Sequence, residues 1–145
     1  MKKNAWMILA AIAIIAMIAI VGFSVLKGGC TGMLDCGDKQ VPMKCHWAFI
    51  ATRTIGVGGL VMAIAAMFAK TKEGRIMSSL GVAVTAACSI VMVTSAGIGV
   101  CAKPEMLCNQ TAPMVIGAGV VAIIVAIVMM VKSDPEKAEQ PKMQL

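Results

Sequence analysis

Six cysteines, one histidine and a few methionines are the residues of this 145-residue chain with chemistry to offer. Two stretches concentrate them. Cys36 to Trp47 reads CGDKQVPMKCHW, and Cys101 to Asn109 reads CAKPEMLCN. Each opens on a cysteine, passes a proline and closes on Met-x-Cys, followed by His46 in one copy and Asn109 in the other.

Three chemistries suit such a set. The first is structural. Disulfides Cys36–Cys45 and Cys101–Cys108 would each close one loop, whereas bridges between the two loops would staple the halves together. Cys30 then remains as an unpaired or alternative thiol, and Cys88, inside an apolar run, is placed as a small packing residue. The second is soft-metal binding. Thiolate and thioether groups suit Cu(I) and an imidazole can complete the set, which makes Met43, Cys45, His46, Met106 and Cys108 the candidate ligands. A sulfur in a disulfide cannot act as a thiolate ligand, so these two readings compete. The third is thiol–disulfide exchange at a membrane. Its C-x-x-C signature is absent; the spacings here are C-x5-C, C-x6-C and C-x8-C. A single histidine without C-x-x-C-H argues against haem. No Ser–His–Asp set, phosphate loop or carboxylate pair is present, so no catalytic residue is assigned and the balance is against an enzyme. Asp35, Asp38 and Glu105 read as solvated loop charges.

The elements that must position these residues are apolar. Hydrophobic residues make up 59% of the chain and the mean hydropathy is +0.89. Runs over about 5–26, 46–69, 76–100 and 113–131 are each near the ~20 residues that a helix needs to span ~30 Å of hydrocarbon. The expected fold is all-α, a four-helix transmembrane bundle over 1–131, followed by a charged, disordered tail over 132–145. Helix, cysteine loop, helix occurs twice, which suggests two repeats in parallel. Ala118, Ala122 and Ala126, and Thr52, Gly56, Gly59 and Ala63, form small-residue stripes suited to close helix packing in lipid. Pro113 is expected in the first turn of the fourth helix.

The net charge of +6 follows topology rather than nucleic-acid binding. With alternating spans, Lys2, Lys3, Lys70, Lys72, Arg75, Lys132, Lys137 and Lys142 share one side. Lys27, Lys39, Lys44, Arg53 and Lys103 share the other. The positive-inside rule then sets both termini in the cytoplasm of a multi-pass cell-membrane protein, with the cysteine loops extracytoplasmic. Arg53 is an intramembrane charge near the outer edge, two turns from His46, where it can snorkel to the headgroups. All five aromatic residues, Trp6, Phe23, Trp47, Phe49 and Phe68, lie near span ends as expected of interfacial anchors.

PMKCHW entering the second helix and GVCAKPEMLCNQTAP before the fourth resemble the family named domain of unknown function 4418. It comprises small four-span prokaryotic membrane proteins. Met43, Cys45, His46, Cys101, Met106 and Cys108 match the family's motif. The resemblance implies topology more than activity, and implies a neighbourhood of ABC-type transporter genes. Transport by this chain alone would require more intramembrane ionisable groups than Arg53. The leading expectation is a non-enzymatic accessory or assembly subunit of a membrane complex, such as an ABC-type transporter, partnered by the lipid bilayer and needing no cofactor. The alternative is copper binding or handling through Met, Cys and His at the extracytoplasmic face; thiol oxidoreduction comes third.

Overall fold

Backbone N–H and C=O groups in hydrocarbon have no water to bond, and a helix pairs them within the segment. Four helices result among the described residues: α1 Lys3–Leu26, α2 Lys44–Phe68, α3 Lys72–Val93 and α4 Leu107–Lys132. This computed structural model describes residues 3–26, 33–101 and 105–133. All four helices are long and apolar enough to cross a membrane. The chain is therefore the expected all-helical bundle of four candidate spans.

The helices form a ring. α1 and α3 each pack against both α2 and α4, with little contact across the diagonal. α1 and α2 run antiparallel, since Trp6 meets Ala66 at one end while Gly56 faces Val21 further along. α2 and α3 do the same, with Gly59 against Thr85 and Gly81 against Met62.

Small residues make the interior. Ala10, Ala13, Ala63, Ala66, Ala86 and Ala122 are all 0% exposed, while Ile15 (66%), Phe68 (75%) and Leu26 (83%) point outward. A soluble core would reverse this arrangement. Lipid tails are as apolar as leucine, so the helices gain by approaching closely rather than by hiding large side chains. The α2 stripe of Thr52, Gly56, Gly59 and Ala63 is buried throughout. On α4, Ala122 and Ala126 are buried and Ala118 packs against the core in part. A Cβ at Gly59 would overlap Met17 Cε and stand 2.5 Å from Thr85 Oγ1. The hydroxyls of α3 turn to their own helix: Ser79 donates to Arg75 O at 2.8 Å and Ser89 to Thr85 O at 2.9 Å.

Several boundaries differ from expectation. α3 ends at Val93, although the apolar run continues to Val100. Thr94 donates its hydroxyl to Val91 O at 2.9 Å, and Gly99 adopts a left-handed φ of 75°, so the chain turns where hydropathy alone sees continuity. α4 begins at Leu107, which places Pro113 inside the helix rather than in its first turn. The proline removes one hydrogen bond there, a loss that membrane helices tolerate. The first long loop contains an antiparallel hairpin, β1 Met33–Cys36 with β2 Lys39–Pro42. Gly37 takes φ 71° and Asp38 a negative φ, the pattern of a two-residue type II′ turn.

Two aromatic residues are not interfacial anchors. Trp6 is 6% exposed and Phe49 2% exposed. Trp6 Nε1 donates to Ala66 O at 3.1 Å, so its polar atom needs no headgroup water. Phe49 has no polar atom to keep wet. Trp47 and Phe68 do face outward. Cys88 is exposed on α3 rather than packed inside. Cys30, Lys103 and the tail from 134 lie outside the described residues.

Close approach at Gly59 should be sensitive to one added side chain. Gly59→Val should destabilise the bundle by ~1–3 kcal/mol through overpacking. Gly58→Val, where nothing lies within 4 Å of an added Cβ, should leave it near wild type. Thermal unfolding of both variants in detergent checks the contrast.

Candidate functional site

The repeated Met-x-Cys motif has one structural meaning in both copies. Met43 is the N-cap of α2, with φ −61° and ψ 153°, and Cys45 is the second helical residue. Met106 is the N-cap of α4, with φ −80° and ψ 141°, and Cys108 is again the second helical residue. Each methionine carbonyl accepts the first-turn bond, from His46 N at 3.0 Å and from Asn109 N at 3.0 Å. Neither cap is closed by a side-chain hydrogen bond. The motif thus fixes a thiol in the first turn of α2 and of α4, with no polar cap competing for the space.

α2 and α4 start at the same end of the bundle, and both thiols turn inward. Cys45 and Cys108 are 0% exposed. A third sulfur joins them from the segment that follows α3. Cys101 Sγ donates to Cys45 Sγ at 3.4 Å, and the sulfurs of Cys45, Cys101 and Cys108 all lie within 4.8 Å of one another. No two of the three stand at bonding distance in this structure; an S–S bond would be ~2.05 Å long. Met43 and Met106, partly buried, pack against the same apolar cluster as Cys45 and Cys108.

The family model described as domain of unknown function 4418 matches residues 6–132. The chain belongs to that family. No curated protein and no solved structure matches it. In this member of the 4418 family, the motif residues Cys45, Cys101 and Cys108 are the ones that converge.

His46 does not join them. It is exposed, stands edge-on to Trp47 with ring centroids 6.0 Å apart, and lines a recess of about 150 Å³ with Ser24, Phe49 and Arg53. Arg53 is exposed too. Cys88 lies in the C-terminal third of α3, exposed and outside the cluster. Cys36 sits opposite Lys39 at the hairpin tip; its side chain is outside the described residues, and so is the expected pairing with Cys45. The residue that sequence reasoning left out of the ligand set is Cys101. The sequence offers it for disulfides alone, although it opens the second copy of the motif.

Burial raises the Cys101 thiol first, and its hydrogen bonds with Cys45 and Cys108 raise it further, to about 12. The group therefore stays protonated at neutral pH, which makes it a poor attacking nucleophile. Because the fold favours the protonated form, its contribution to stability is intact below 9.0 and is lost as pH rises toward about 12. Alkylation of Cys101 by a maleimide at pH 8 should be slower than in the denatured chain by on the order of 100-fold. Cys45→Ala, which removes one neighbour holding that proton, should speed it. Peptide mass spectrometry after timed labelling reads both rates.

Proposed function

We propose that this integral membrane protein binds a soft metal ion, Cu(I) by its chemistry, through Cys45, Cys101 and Cys108. The observation that carries the reading is the convergence of three sulfurs from three separate segments, all within 4.8 Å of one another. Three thiolates ~2.3 Å from a shared ion stand ~4 Å apart in a trigonal plane, so small side-chain adjustments suffice. Three soft sulfurs in a trigonal set suit Cu(I), whereas structural zinc takes four cysteine or histidine ligands in a tetrahedron. The thioethers of Met43 and Met106 at the two helix caps are soft as well, and His46 is turned away. Two helix N-termini aimed at the sulfurs favour the negative charge that thiolates bring.

Ligation releases protons, because each thiol that binds must lose its own. Affinity therefore falls as pH falls. The positive-inside distribution supports an extracytoplasmic position for this end of the bundle, where thiols are exposed to oxidation. A Cys45–Cys101 disulfide is accordingly the competing state of the same atoms. Exchange chemistry is less well supported, since it needs an attacking thiol of low pKa and Cys101 is shifted the other way. The accessory-subunit expectation draws on the family resemblance and on the outward apolar faces. Contact with lipid accounts for those faces equally well, so the thiols carry the conclusion.

Anaerobically purified full-length protein should retain one Cu(I) per chain against a chromogenic Cu(I) chelator. Outer-shell changes cost metal sites 10–100-fold, so loss of the ligand itself in Cys101→Ser should weaken retention by ~100-fold or more. Cys88→Ser should have no effect. Absence of metal, together with a Cys45–Cys101 or Cys101–Cys108 bridge in the native protein by mass mapping, would leave the disulfide reading in its place.

A further inference from the structure

The opposite end of the bundle carries a second feature that the thiols do not explain. Trp6 and Met7 of α1, Met67 and Phe68 of α2, and Ala69, Lys70 and Arg75 enclose a recess of about 640 Å³. Its polar groups are held in place. Trp6 Nε1 is tied to Ala66 O at 3.1 Å. Arg75 Nε donates to Ala69 O at 3.1 Å, and the guanidinium lies 4.8 Å from the centroid of the Trp6 ring. Bond and cation–π contact together hold the guanidinium in place, and its terminal nitrogens remain available as donors. Lys70 brings a second cation to the same recess. Glu73, the sole acidic residue between Asp38 and Glu105, is exposed on the first turn of α3.

The rest of the wall is apolar and opens on the surface that faces lipid, where Met7 is 44% exposed and Phe68 75% exposed. Two cations above an apolar trough, at the end of helices long enough to cross a membrane, match one ligand chemistry. We propose that this recess holds the phosphate of an anionic phospholipid, with Arg75 and Lys70 on the headgroup and an acyl chain along Met7, Met67 and Phe68. Arg75 supplies paired N–H donors suited to a phosphodiester, and Lys70 supplies a point charge. A free phosphate would use the cations and leave the trough empty. A zwitterionic lipid would bring a choline or amine that the two cations repel.

Native mass spectrometry of the full-length chain, released from detergent with equimolar phosphatidylglycerol and phosphatidylcholine, tests the assignment. The wild type should retain phosphatidylglycerol in preference. At ~1 kcal/mol per cation near a membrane surface, Lys70→Gln and Arg75→Gln should each reduce that preference about fivefold. Arg75 also braces Trp6, so Lys70→Gln is the decisive variant, and its unfolding temperature should match wild type. Equal retention of the two lipids by wild type would overturn the proposal, as would an unchanged preference in Lys70→Gln. Displacement of the lipid by millimolar glycerol phosphate would assign the recess to a free phosphate and overturn it as well.

Discussion

Close approach of helix backbones in a solvent that offers no hydrophobic gain is the constraint on which this structure rests. Large side chains turn outward because lipid receives them as readily as a protein core would. What holds the helices is the dense contact that alanine and glycine allow, as at Gly59 beneath Met17 and Thr85, or at Gly119, where a Cβ would come within 2.7 Å of Ile90 Cγ1. Polar atoms inside are satisfied locally: Thr52 bonds Ala48 O and Thr111 bonds Leu107 O, both at 2.8 Å. Among the described residues, no buried side-chain nitrogen or oxygen is left without a partner. The interior asks little of chemistry, and chemistry collects at the ends.

The two ends differ in kind. One gathers sulfur around the first turns of α2 and α4, where capping methionines take the place of the usual serine or aspartate. The other gathers a tryptophan, an arginine and a lysine around the α2–α3 turn, where Thr71 caps α3 by accepting from Gly74 N at 3.2 Å. The one polar cap described thus sits beside the cations, and the two methionine caps sit beside the buried thiols. Both arrangements follow from what side chains at helix termini can reach.

The four helices and their small-residue stripes were legible because hydropathy, run length and residue size are properties of local sequence. The end of α3 was not, since Ala96, Ile98 and Val100 keep the run apolar past the turn. The contrary signals were Thr94-Ser95 and the glycines at 97 and 99, which a hydropathy window averages away. The hairpin was also written in sequence, in Gly37-Asp38 between two short strands, but was overshadowed by the cysteines around it. Trp6 was misassigned because an indole near a span end fits the interface on composition alone, and its acceptor, Ala66 O, lies sixty residues away. The cluster was half legible. Cys45 and Cys108 follow from equivalent motif positions, whereas Cys101 reaches them only through the path of the chain after α3.

That path turns on a residue with no side chain. Gly99 sits two positions before Cys101 in a backbone conformation that strains any other residue. Cys45 and Cys108 are anchored by their helices, but Cys101 is carried on this bend like a jaw on a pin. The geometry of the sulfur trio is therefore set, in part, by an atom that is not there: a methyl group at position 99 could move a thiol without touching one.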